Sequence, residues 1–287
     1  MRRGIIALVC VLLIIGISCN VHASAQLVAD DWLRVDTKAT AVSSVVERLD
    51  AGAIPQSPRG NDSLVTYMAK YGGDALESAV RYGDDAVGAM KNGIEPAQIN
   101  KLADAGIKPT DFRKYKITDK EAAEAAIGAI SKGSVKTWKE FFAADAEKYF
   151  SAKEASSSYI RLLDGKSPWP EGYEPQVTEL SEGDIVNMVL DAAQEFPGRF
   201  ATRDMIESVA CARNKLAIQS GWKADCSRVV TYRVKANVRV RTGPVGPQID
   251  LGVDRYLLGG GTQIELILPQ GVYSNSYLEY VSERTIH

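Results

Sequence analysis

Val229-Val230-Thr231-Tyr232-Arg233-Val234-Lys235-Ala236-Asn237-Val238-Arg239-Val240-Arg241 decides how the second half of this 287-residue chain folds. Its second part alternates strictly: Val234, Ala236, Val238 and Val240 fall on one side, and Arg233, Lys235, Asn237, Arg239 and Arg241 on the other. A period of two sends such sets to opposite faces of a strand, so the pattern predicts one buried and one cationic face. Residues 262–268 and 277–281 read as two further strands. Upstream, Ser181-x-x-Asp184 reads as the start of an amphipathic helix to about Glu195, broken by Pro197-Gly198. Residues 179–287 are therefore expected to form a small α+β domain with a twisted, mostly antiparallel sheet.

Working outward, residues 164–178 hold Pro168, Pro170 and Pro175 with Gly165 and Gly172. That composition suits neither a helix nor a central strand and reads as a proline-rich linker. Residues 61–163 have the alanine-rich texture of short stacked helices. Asn61-Asp62-Ser63 and the capping box Thr118-x-x-Glu121 open two of them. Gly93-Ile-Glu-Pro recurs as Gly106-Ile-Lys-Pro, and Tyr71-Gly-Gly-Asp-Ala-Leu as Tyr82-Gly-Asp-Asp-Ala-Val. Each glycine can end one helix, and each proline can open the next. This region carries no cluster of reactive side chains and reads as a scaffold, delivery or adaptor segment, with Tyr67, Tyr71, Tyr82 and Trp138 as core or helix contacts.

Residues 26–60 read as linker with a short helix, and residues 1–25 as a secretory signal. Arg2 and Arg3 precede the apolar run Ile5–Ile17, and Ala23-Ser24-Ala25 supplies the small residues a signal peptidase needs. Cleavage is expected after Ala25, giving a secreted or periplasmic protein; lipidation at Cys19 is the rival reading. No later apolar stretch approaches membrane-spanning length.

The net charge of −2 argues against a whole-surface binder of DNA or membrane. Histidine excludes more: of the 2 present, His22 lies in the signal and His287 is the last residue. Histidine triads and most zinc sites are excluded, and no metal or cofactor is expected. Catalysis would have to run on carboxylates, arginine, tyrosine, serine or amides. Of the 4 cysteines, Cys211 and Cys226 lie beyond the signal. In an oxidising compartment they are expected to bridge, gaining about 3 kcal/mol in the chain-entropy model, with two buried free thiols as the alternative.

Chemistry concentrates around Gly243-Pro-Val-Gly-Pro-Gln248 and Gly259-Gly260-Gly261-Thr262-Gln263-Ile264-Glu265. Three glycines entering a strand cost backbone entropy and permit close approach of the backbone to a ligand. Period two then sets Gln263 and Glu265 on one face. The bland counterpart is an exposed strand face. Likewise the basic stretch from Arg213 to Arg241, interrupted by the single acidic residue Asp225, suits a solvated face as well as a ligand surface.

The order Gly198-Arg199-Phe200, Ala212-Arg213-Asn214-Lys215-Leu216-Ala217, Tyr232-x-Val234, Gly243-Pro-x-Gly-Pro-Gln248, Gly259-Gly-Gly-Thr-Gln263 and Tyr277-Leu-Glu resembles the tuberculosis necrotizing toxin family. Those are NAD glycohydrolase domains of bacterial polymorphic toxins with an ADP-ribosyltransferase-like fold. The resemblance covers about residues 197–283. It implies Gln263 as the catalytic glutamine, Arg213 and Arg199 as the family's arginines, and a cognate immunity protein as partner. Two departures stand out: the family's tyrosine is Phe200 here, and Ile218 stands near an expected proline. Phe200 can stack on nicotinamide but cannot donate a hydrogen bond.

The implied reaction cleaves NAD, as substrate, to nicotinamide and ADP-ribose. Arginines would hold the pyrophosphate, Gln263 would orient water or ribose hydroxyls, and Glu265 would stabilise the oxocarbenium-like state. Gly259, Gly260 and Gly261 would let the backbone close on the substrate. Gln263-x-Glu265 also matches the signature of ADP-ribosyltransferases that modify proteins. A histidine-free ribonuclease and a non-enzymatic secreted interaction protein are the remaining alternatives.

Overall fold

The computed structural model describes residues 66–165 and 167–287. The expected signal, the 26–60 segment and the Asn61-Asp62-Ser63 cap lie outside them. The chain divides into two compact units, 1–83 and 84–287. In the first, α1 (Gly73–Tyr82) buries Ala75, Leu76, Ser78 and Ala79 along one face.

The second unit opens with helices α2 (Asp84–Lys91), α3 (Pro96–Asp104), α4 (Lys120–Lys132), α5 (Val135–Asp145) and α6 (Ala152–Asp164). The repeats act as punctuation: Gly93 and Gly106 take positive φ of 86° and 89°, Pro96 opens α3, and Pro109 opens a single 3-10 turn. The cap of α4 sits one residue later than expected. Asp119, rather than Thr118, accepts the Ala122 amide at 2.9 Å, because the carboxylate is the stronger acceptor for an unpaired first-turn donor. Alanines 122, 123, 126 and 129 bury one side of α4, and Trp138, Phe141, Phe142 and Tyr159 fill the space between helices.

The β-rich half holds nine strands. A four-stranded sheet runs in the order β1 (Gln176–Leu180), β5 (Val238–Pro244), β8 (Thr262–Leu266), β3 (Phe200–Ala201). A three-stranded sheet runs β2 (Ile185–Leu190), β4 (Arg228–Val234), β9 (Leu278–Thr285), and β6 (Gln248–Asp250) and β7 (Arg255–Leu257) form a separate pair. All these pairings are antiparallel. One apolar core lies between the two larger sheets, with Leu180, Val238, Val240, Ile264 and Leu266 from one and Val186, Met188, Val230, Tyr232 and Val234 from the other. The α+β class and antiparallel sheet agree with the sequence reading. The helix α7 (Val209–Lys215) lies between β3 and β4.

Two expectations are corrected. Residues 185–190 form strand β2, not a helix: the segment, with β-branched Ile185, Val186 and Val189, pairs along its whole length with β4, and Ser181 and Asp184 close the preceding turn by reciprocal bonds at 3.0 Å. The stretch 229–241 is two strands in different sheets. The chain crosses over at Lys235-Ala236-Asn237, where the Lys235 amide donates to the Tyr277 carbonyl and Asn237 ties Glu182 and Glu179, leaving Ala236 exposed.

The hairpin β6–β7 docks on α5. Tyr256 packs edge-on against Phe141 and donates its hydroxyl to Asp145 at 2.8 Å, while its amide donates to Glu140. Burial, then the Asp145 carboxylate, raises the Tyr256 pKa and keeps this hydroxyl protonated. The helices and the β-rich half of this unit thus share hydrogen bonds and aromatic packing.

Candidate functional site

On β8 the even-numbered residues Ile264 and Leu266 enter the core, so Gln263 and Glu265 project from the outer face of the four-stranded sheet. Register then selects their neighbours. Gln263 faces Gly243 on β5, and Glu265 lies between Arg241 on β5 and Phe200 on β3. Arg241 Nη1 donates to Glu265 Oε2 at 3.0 Å, with the two side chains 46% and 16% exposed. A pair this open adds at most about 1 kcal/mol of stability; its consequence is orientation of the carboxylate. Phe200 is 47% exposed beside it. The structure therefore brings Gln263, Glu265 and Phe200 together. It adds Arg241, which the sequence showed only as one residue of a cationic face.

Gln263 is 7% exposed, and its amide donates to the Pro168 carbonyl at 2.6 Å. Its strand is set by Asp204, whose carboxylate accepts the Thr262 amide at 2.7 Å and the Thr262 hydroxyl at 2.5 Å. Nothing in the sequence singled out Asp204, since its partner lies 58 residues away.

The three glycines approach other backbone segments. A Cβ on Gly259 would lie 2.5 Å from the Val245 carbonyl oxygen, and one on Gly261 would lie 2.7 Å from that of Lys215. The amides of Gly259, Gly260 and Gly261 donate to the carbonyls of Asn214, Val245 and Lys215. Close packing between the end of α7, the 245–246 turn and β8 accounts for Gly259 and Gly261, whereas Gly260 takes a positive φ of 85° beside open space; the N–H groups of all three are engaged by the protein itself.

Arg213 is engaged as well. Its guanidinium donates to the carbonyls of Ile218, Lys223 and Ala224 at 3.0, 2.7 and 3.0 Å, closing the loop after α7. Arg199 is exposed just before β3, and its carbonyl accepts the Leu266 amide. Cys211 and Cys226 are free thiols, so the bridge expected from the sequence is not made. Both pack on one apolar cluster with Ile206, Ala212 and Val229. Burial pushes the Cys226 thiol up to about 11.

A cleft of about 500 Å³ lies at the same end of β8, lined by Thr178, Arg203, Thr242 and Thr262 and edged by Gly243 and Gln263. Alternation puts the three threonines on the core side of the sheet, where the apolar core gives way to hydroxyls. Arg203 pairs there with Asp184 at 3.1 Å. A smaller cleft of about 300 Å³ is lined by Phe196, Pro197, Tyr273 and Asn275. Among the described residues, no helix is long and apolar enough to cross a membrane.

No protein-family model and no curated protein matches the sequence. Among solved structures, the chain is similar to Tne2 in complex with Tni2, at 25% identity and a TM-score of 0.35 over 41% of this chain and 97% of that one. It is similar to Rhs1-CT in complex with its cognate immunity protein RhsI1, at 24% identity and a TM-score of 0.31 over 39% and 80% of the two chains. A third likeness is to Tse6 in complex with Tsi6, at 12% identity and a TM-score of 0.27 over 50% and 94%.

Proposed function

We propose that this chain is a secreted toxin whose β-rich half cleaves NAD at the bond between nicotinamide and ribose. The observation that carries the reading is the rung Arg241–Glu265–Phe200, with Gln263 two residues along the same face. An ion-paired carboxylate beside an exposed aromatic ring suits a positively charged, flat leaving group attached to a sugar carbon. The nicotinamide ring would stack on Phe200, and Glu265 would stabilise positive charge developing at the ribose carbon. The bond breaks with its electron pair passing to the nicotinamide nitrogen, which leaves neutral and needs no proton. Water oriented by Gln263 adds to the ribose carbon and loses its proton to solvent.

Hydrolysis is preferred to transfer on the motif resemblance; transfer would use the same pair with a protein side chain in place of water. A toxin of this kind requires an inhibitor in the cell that makes it, and a cognate immunity protein is the partner we assign. Product analysis tests the reading. The full chain incubated with NAD is expected to yield free nicotinamide and free ADP-ribose, with Gln263→Ala slower by on the order of 100-fold. ADP-ribose attached to protein would identify a transferase. Cleaved RNA with intact NAD would replace the reading by the ribonuclease alternative.

A further inference from the structure

The proline-rich segment does more than connect. Its Pro168 carbonyl accepts two bonds at once, from the Gly246 amide at 2.8 Å and from Gln263 Nε2 at 2.6 Å. Ser167 offers its carbonyl to Gln248 Nε2 at 3.0 Å. The Tyr173 ring lies over Gly243, the residue opposite Gln263, where an added Cβ would come within 2.4 Å of Tyr173 Cε1. At Gly246 it is the Trp169 backbone that crosses, its carbonyl oxygen 2.5 Å from where a Cβ would sit, while the Trp169 side chain is buried with its ring 6.4 Å from that of Tyr173. Residues 167–173 thus lie on the outer face of the sheet, at the glutamine.

Apart from the buried Trp169, the segment is half-buried or exposed along its length. It joins no sheet, and proline offers carbonyls without amides of its own. On the helical side Glu171 accepts from Arg161 Nε at 2.6 Å and from Arg161 Nη2 and Ser158 Oγ at 3.2 Å each, in a pair more than half exposed on both sides, so solvent screens this latch. A few carbonyl bonds, two rings and one surface ion pair are the attributes of a unit that opens locally while the sheets stay folded. The Gln263 amide, meanwhile, is occupied by a carbonyl oxygen where a substrate oxygen would have to bind.

We propose that residues 167–173 are an autoinhibitory strap: docked, they hold the Gln263 amide on Pro168; released, they open the outer face to the nucleotide. The inference rests on the NAD reading above. Its test compares the full chain with its Trp169→Ala/Tyr173→Ala variant, following amide exchange at Gly246 and nicotinamide release from NAD. Faster Gly246 exchange with kcat/KM raised about tenfold is expected, the gain for a strap closed about nine-tenths of the time. Faster exchange with equal turnover overturns the strap alone. Unchanged exchange also overturns it, since a segment not held by its two rings belongs to the fixed fold. Faster exchange with no nicotinamide from either protein overturns the NAD reading and the strap with it. Should the double variant fail to fold, Glu171→Gln, which cuts only the exposed latch, is expected to raise turnover in the same direction by a smaller factor, and no rise overturns the strap.

Discussion

At Arg213 the guanidinium makes three bonds to carbonyls of one loop, which is a structural use of a residue the motif resemblance places at the substrate. Arg213→Met is therefore expected to lower stability by roughly 1.5–3 kcal/mol, read as a lower urea midpoint, with the KM for NAD unchanged. A raised KM at unchanged stability would return Arg213 to the substrate. Cys226 carries a pH prediction. Its folded pKa is raised from the ordinary thiol value of 9.0 to about 11 by burial, so the folded state favours the neutral thiol. That contribution is fully present below pH 9 and is lost as pH climbs towards about 11. Reduced protein should lose stability over that window, and Cys226→Ser should flatten the loss; a curve unchanged by the substitution would contradict the assignment. The missing bridge shows what residue counting leaves out. Two thiols alone in an oxidising compartment imply a pair, yet Cys211 and Cys226 are free although both pack on one apolar cluster.

Among elements, alternation was most informative where a strand is half buried and least where it changes sheets. Val238, Val240, Arg239 and Arg241 kept their assigned faces in β5. Ala236 did not, because the crossover at 235–237 depends on partners at Tyr277, Glu182 and Glu179. The helix expected at 181–195 failed for a related reason: Ile185-Val-Asn-Met-Val-Leu190 has no strict period, and long-range pairing with β4 decided it. Gln263 and Glu265 were legible as a same-face pair, but Arg241 and Phe200 became their flanks only through register. The glycine loop gives the test at this scale. Gly259 combines φ 69° with backbone oxygens where a Cβ would sit, whereas Gly260, at φ 85°, faces open space. Gly259→Ala should cost several kcal/mol and Gly260→Ala about 1–2 kcal/mol, as measured by urea unfolding. Equal costs would mean the loop moves aside freely.

Across the whole molecule, the β-rich half is tied to its helices through the β6–β7 hairpin, where Asp254 accepts from Ser134, Arg255 pairs with Glu140 and Tyr256 bonds Glu140 and Asp145, and the proline-rich segment is tied to α6 through Glu171. β1 also begins at Gln176, before the domain start expected at 179, and pairs residue by residue with β5. Activity therefore belongs to be measured on the full chain. The near-absence of histidine restricts the available chemistry to carboxylates, arginine and amides, and Gln263, Glu265, Arg241 and Phe200 share the outer face on which we propose that NAD is cleaved. The most direct test is the time course of nicotinamide release from NAD by the full chain, run beside Glu265→Gln with matched unfolding midpoints. Steady release by the parent and a drop on the order of 100-fold in the variant are expected; equal release by both proteins, or none by the folded parent, would contradict the account.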